Sequence, residues 1–151
     1  MRVYLDVCCF NRPFDDQSQD KVRLEAEAVI SILKRCANGE WKLVGSDMIR
    51  LETMKSQDHV KKQKVLLLCE GIAEEIQYNA QIKARAAQLR VNGVKLLDSL
   101  HLAFAEYADV DAFLTTDTRL LKVAVRYDMK IRIDNPVNYY MEVLVSEQCG
   151  G

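Results

Sequence analysis

LLDSLHLAFAEYADVDAFLTTDTRLL, residues 96–121, packs a helix, a strand and the start of another helix into one short stretch. Leu96 to Ala108 is apolar on nearly every side, which predicts a largely buried helix. Ala112-Phe113-Leu114 reads as a short strand, and Asp117 to Tyr127 as the next helix. Strands separated by helices require crossover connections, and those belong to a mostly parallel sheet covered on both faces. Two acids stand out in this unit. Asp98 interrupts an apolar helix near its start, and Asp117 leaves the strand directly after Thr115 and Thr116.

The same alternation extends in both directions. Val3-Tyr4-Leu5 predicts a first buried strand, ended by Asp6. From Lys21 the apolar positions Val22, Ala26, Val29, Ile30 and Leu33 fall at helical spacing until Asn38-Gly39 stops them. Trp41 to Val44 predicts a second strand, and Gly45-Ser46 leads into a helix carrying Met48, Leu51 and Glu52. Residues 57–70 and roughly 75–92 predict two further helices, the second ended by Asn92-Gly93. This helical pair is expected to be an insertion or cap between the second and third strands. Ile131-Arg132-Ile133 predicts a last strand, and Pro136 to about Val145 a terminal helix, with residues 146–151 a flexible tail. With no repeat, linker or low-complexity tract, residues 1–151 are expected to form a single domain.

The acids acquire meaning from this order. In open parallel sheets, sites form outside the carboxyl ends of the strands where chain order reverses. If the strands ending at Asp6 and Asp117 are central neighbours, their carboxylates face each other there. Glu52 and Asp98 sit early in helices that follow on. Clustered carboxylates raise one another's pKa unless a cation lies among them. Oxygen ligands without a histidine or thiolate set suit Mg²⁺ or Mn²⁺, ions that bind phosphates and activate water.

Bulk properties narrow the field. The 151 residues are 49% hydrophobic, enough for one real core. The 21 basic and 22 acidic side chains leave a net charge of −1, which is no whole-protein signature of nucleic-acid binding. Residues 50–95 are nevertheless locally basic, and a solvated helical face accounts for that as well as a phosphate-bearing ligand does. Five cysteines without CxxC spacing and only two histidines make a zinc site improbable, and reduced thiols in a cytoplasmic protein are the expectation. No apolar run approaches the roughly 20 residues of a membrane helix.

Four segments carry a family resemblance: RVYLD at the start, SDMIRLE, LLDSLHLAFAE and FLTTDTRLL. Together they resemble the PIN domain, especially the small VapC-like toxin ribonucleases, over residues 2 to about 134. The resemblance implies a three-layer α/β/α fold and a Mg²⁺- or Mn²⁺-dependent endoribonuclease leaving 5′-phosphate and 3′-hydroxyl ends. It further implies an antitoxin protein partner and a homodimer. Carried over by position, Asp6, Asp98 and Asp117 are the metal-facing carboxylates, and Glu52 completes the catalytic set. Thr115 or Thr116 matches the hydroxyl residue preceding the fourth acid. Many such domains also place a Thr or Ser just after the first Asp, where this chain has Val7-Cys8-Cys9. Asn11 and Arg12 are near enough to substitute, as orienting amide and phosphate clamp.

The plainer readings are specific too. Arg12 pairs with Asp15 or Asp16, His101 is satisfied by Asp98 on the same helical face, and Cys8 and Cys9 are small buried hydrophobes. A non-catalytic PIN-like domain that binds RNA or protein is the alternative function. An aspartate-nucleophile phosphatase wants a second acid two residues after Asp6, and Cys8 stands there. A receiver domain wants an acidic pair at the first strand end, which is missing.

Overall fold

The computed structural model describes residues 1–150, which fold around a five-stranded sheet in the order β3-β2-β1-β4-β5, every pair parallel. The strands are β1 (Arg2–Leu5), β2 (Lys42–Ser46), β3 (Glu74–Ile76), β4 (Ala112–Leu114) and β5 (Arg132–Asp134). The helices are α1 (Val7–Asn11), α2 (Asp20–Ala37), α3 (Asp47–Met54), α4 (His59–Cys69), α5 (Ala80–Val91), α6 (Leu96–Tyr107), α7 (Thr118–Ala124) and α8 (Pro136–Gly150). The chain builds outward from β1 to β3, then returns to the other side of β1 for β4 and β5. Right-handed crossovers therefore put α1 to α4 on one face and α5 to α7 on the other, and α8, after the last strand, returns to the first face beside α2. Packing agrees: α2 lies against α8, α1 touches α2 and α4, and α5 lies against α6. This is the three-layer α/β/α arrangement expected from the helix–strand alternation.

The core follows the apolar runs. Val3, Tyr4 and Leu5 of β1 and Ala112, Phe113 and Leu114 of β4 are fully buried, and Leu5 pairs with Leu114 across the register. On α6, Leu102, Ala103, Phe104 and Ala105 are buried, so the helix that is apolar on most sides does lie inside. The Asn38-Gly39 and Asn92-Gly93 stops are real: Gly39 and Gly93 hold φ of 80° and 99°, backbone that a side chain disfavours. No described helix is long and apolar enough to cross a membrane. All five cysteines are free thiols.

Two local expectations need correction, and one short helix was not anticipated. The helix expected from about residue 75 starts at Ala80, because Glu74–Ile76 is a strand that extends the sheet edge beside β2. The two helices of the expected pair thus flank a strand of the sheet. Val7–Asn11, although it follows a strand without a turn residue, coils into a helix capped by Asp6. Lastly, α8 does not end near Val145 in a loose tail; it continues to Gly150, and Glu147 on it ion-pairs with Arg35. Gly151, the end of that expected tail, lies outside the described residues.

Candidate functional site

Asp6 stands where β1 ends, and its backbone N–H donates to the Leu114 carbonyl of β4 at 2.9 Å. The β1/β4 pair is the point where strand order reverses, so Asp6 sits at the switch point of the sheet. Its side chain is almost fully buried and held on both oxygens. Oδ1 accepts the Val7 N–H at 2.8 Å, which caps α1. Oδ2 accepts the Thr115 hydroxyl at 2.9 Å and faces the Cys8 thiol at 3.6 Å. Burial raises the Asp6 pKa, opposed by His101 and by the Thr115 hydrogen bond.

Thr115 joins two of the acids. While donating to Asp6, its hydroxyl accepts the Asp117 N–H at 3.1 Å. Asp117 then caps α7, with Oδ1 accepting the N–H groups of Arg119 at 2.9 Å and Leu120 at 3.3 Å. Thr116 is also buried, but the contact it makes here is through its backbone N–H to Cys8 Sγ at 3.3 Å. Of the two hydroxyl residues ahead of the fourth acid, Thr115 is the one on the carboxylates.

Asp98 lies in the first turn of α6 and shares with Asp117 a cavity of about 90 Å³. Lys95 and Arg119 line the same cavity. Burial first, then the charges of Asp6 and Asp117, push the Asp98 carboxyl up to about 6 from its ordinary 3.8. Glu52, on α3, turns its Oε2 to His101 Nε2 at 2.7 Å. Ligand atoms of Asp6, Glu52 and His101 all lie within 4.8 Å of one another, a spacing that fits a single metal ion.

All four acids expected from the sequence thus come to one end of the sheet, in two linked subsets. Asp6 and Glu52 draw together around His101, while Asp98 and Asp117 line the adjoining cavity, where the charges of Asp6 and Asp117 add to burial in raising the Asp98 carboxyl. His101 is the residue undervalued by sequence reasoning. Its partner is Glu52 rather than Asp98, and its raised pKa reflects the Glu52 hydrogen bond and nearby acids overcoming burial. A polar ring on an otherwise apolar helix was the signal available.

Two other expectations resolve against a role at the acids. Arg12 donates to Glu25 at 2.9 Å and to Asp15 at 3.0 Å, so its guanidinium neutralises a carboxylate that is only 1% exposed. Asn11 ends α1, and among the described residues its amide is hydrogen-bonded to none of the four acids. Cys8 occupies the place of the missing hydroxyl after the first Asp, within reach of Asp6, Thr115 and the Thr116 N–H. Contact with Cys9 is the leading cause of its lowered pKa. It is therefore more polar in its surroundings than a plain buried hydrophobe, whereas Cys9 is fully buried with its thiol pKa raised by desolvation.

The PIN domain family model matches residues 3–126 of the chain. Among solved structures, VapBC-1 from nontypeable Haemophilus influenzae is similar with a TM-score of 0.60 and 13% identity, covering 90% of this chain and 98% of that one. VapBC2 from Rickettsia felis, bound to a DNA fragment from their promoter, gives 0.57 and 14%, with 89% and 98% covered. DNA-bound VapBC from Salmonella typhimurium gives 0.54 and 14%, with 90% and 98% covered. At those identities the likeness is one of fold. No curated protein matches the chain.

Proposed function

The chain belongs to the PIN domain family, and on that premise we propose that it is a metal-dependent endoribonuclease, the toxin of a type II toxin–antitoxin pair acting in the cytoplasm. The observation that carries this reading is the convergence of Asp6, Glu52, Asp98 and Asp117 at the β1/β4 switch point. Such a cluster is costly on its own: burial, then the charges of Asp6 and Asp117, hold the Asp98 carboxyl at about 6. Mg²⁺ or Mn²⁺ fits it, because the carboxylate oxygens are hard donors and a divalent charge relieves their repulsion. Asp6, Asp98 and Asp117 would be the main carboxylates on the ion, with Glu52 completing the set. When bound, it supplies Lewis-acid activation of water and charge neutralisation at a phosphodiester.

The protein's own groups set up the rest. Thr115 and the α1 N-terminus fix the orientation of Asp6, and capping of α7 fixes Asp117. Lys95 and Arg119, both exposed on the cavity wall, meet the backbone phosphates of a single RNA strand and draw it over the acids. Three structural neighbours are VapBC structures, which supports an antitoxin as the protein partner. Homodimerisation is part of the same proposal.

The test is cleavage of a mixed RNA pool by purified protein in Mn²⁺, Mg²⁺ or EDTA, for wild type beside Asp6→Asn and Asp98→Asn. Metal-dependent cleavage, lost in both variants and leaving 5′-phosphates, is the expected result. RNA bound but left intact in both metals would replace the nuclease with a non-catalytic binding domain. Cleavage surviving both substitutions would place the active site elsewhere.

A further inference from the structure

Beneath the acids runs a buried hydrogen-bonded relay that joins four separate elements. Ser46 Oγ, at the end of β2, lies 2.7 Å from the Tyr4 hydroxyl of β1. That hydroxyl lies 2.7 Å from Nδ1 of His101 on α6, whose Nε2 lies 2.7 Å from Oε2 of Glu52 on α3. Ser46, Tyr4 and His101 are all at most 1% exposed. Tyr4 is further fixed by stacking on Phe113 of β4, with ring centroids 5.5 Å apart. Ser46 stands at the N-cap of α3 yet makes no capping hydrogen bond there; its hydroxyl is on Tyr4 instead. A residue type that usually caps has been drawn into the relay.

The placement of these residues is informative. Tyr4 precedes Asp6 by two residues on β1, and His101 follows Asp98 by three on α6. Bonding them to each other and to Glu52 sets the mutual register of three acid-bearing elements. Both ring nitrogens are engaged, and with a carboxylate oxygen accepting at 2.7 Å the geometry assigns the proton between His101 and Glu52 to Nε2. A nitrogen that is donating has no lone pair for a cation, although its distance to Asp6 and Glu52 would suit a ligand.

We infer that His101 is a positioning residue, backed by Tyr4 and Ser46, that holds Glu52 for a divalent cation without itself ligating it. The inference rests on the acidic cluster being the metal site proposed above. Removing such outer partners of metal-holding groups typically costs about 10–100-fold in metal affinity. The relay also predicts which substitute is tolerated. In His101→Gln the side-chain amide keeps an N–H directed at Glu52, whereas His101→Leu offers none.

The experiment is calorimetric titration of Mn²⁺ into wild type, Asp6→Asn, His101→Leu, His101→Gln and Tyr4→Phe, with ¹⁵N spectroscopy of the His101 ring during Mg²⁺ titration of wild type. Binding is expected to vanish in Asp6→Asn and to weaken about 10–100-fold in His101→Leu. His101→Gln is expected to bind more tightly than His101→Leu, and the Nε2 proton to persist at Mg²⁺ saturation. Tyr4→Phe, which conserves the packing of the ring, is expected to weaken binding by about the lower end of that range and serves should His101→Leu fail to fold. Wild-type affinity in both His101→Leu and Tyr4→Phe, with Asp6→Asn still inactive in binding, overturns the inference alone. Loss of the Nε2 proton on adding Mg²⁺ overturns it in favour of a direct nitrogen ligand. Wild-type Mn²⁺ affinity in Asp6→Asn overturns the metal-site reading itself.

Discussion

Replacing Asp98 by Asn should stabilise the metal-free protein near neutral pH while destroying its capacity for metal. In the folded chain, burial and the charges of Asp6 and Asp117 hold the Asp98 carboxyl at about 6, against an ordinary 3.8. Between those values the folded state binds more protons than the unfolded state, so stability falls as pH rises through that window. Below it both states are protonated and the term vanishes; above it the ionised group is a constant cost. At about 1.4 kcal/mol per unit the shift corresponds to roughly 3 kcal/mol, and partial solvent access to Asp98 lowers this to about 1–2 kcal/mol. Asn has the same shape without the charge. Urea unfolding in EDTA should therefore show Asp98→Asn more stable than wild type by about 1–2 kcal/mol at pH 7.5, equivalent to roughly 2–8 °C in Tm. The two proteins should converge below about pH 4. Adding Mn²⁺ should raise the stability of wild type and leave the variant where it was. A variant less stable than wild type at pH 7.5, or a difference unchanged on acidification, would refute the claim that Asp98 is held against its neighbours.

Arg12→Met should cost about 3–5 kcal/mol in urea unfolding by stranding the buried Glu25, and adding Glu25→Gln should recover part of the loss. Unchanged stability with weakened RNA binding would instead return Arg12 to the role of phosphate clamp. Gly45→Ala should destabilise by about 1–3 kcal/mol, because its Cβ would lie 2.7 Å from Ile72 Cδ1 and 3.1 Å from two further Ile72 carbons. Trimming Ile72 to Val in the same chain removes the 2.7 Å contact and should recover part of the loss. Lys95→Gln and Arg119→Gln should each weaken RNA binding and reduce the slope of log affinity against log salt by about 0.7, as measured by fluorescence anisotropy. A slope that does not change would remove those side chains from the phosphate path.

Much of this protein was legible in one dimension because the signals are local. Apolar runs of strand and helix length alternate along the chain, and their order alone implies parallel strands and two helical layers. Asn38-Gly39 and Asn92-Gly93 announce helix ends through a backbone conformation suited to glycine. The four acids are readable because each stands at a definable place, after a strand or early in a helix. Parallel topology then carries those places to one edge.

The remainder depended on partners distant in sequence. Strand β3 is three residues, Glu-Glu-Ile, with no apolar alternation; pairing with β2 makes it a strand. Helix α1 starts from the adjacent Asp6 cap, but its buried face, with Cys9 on the Leu114 carbonyl of β4, is not visible in VCCFN. Arg12 meets a buried acid on α2, and Asn135, more than a hundred residues away, completes its hydrogen bonding. His101 could be placed beside Asp98 by helical spacing, yet its ring bonds to Glu52 and Tyr4. Periodicity determines which face a side chain occupies. Which hydrogen-bonding group or charge it meets there is settled only when the layers close, because an unpartnered buried polar group is too costly to leave standing.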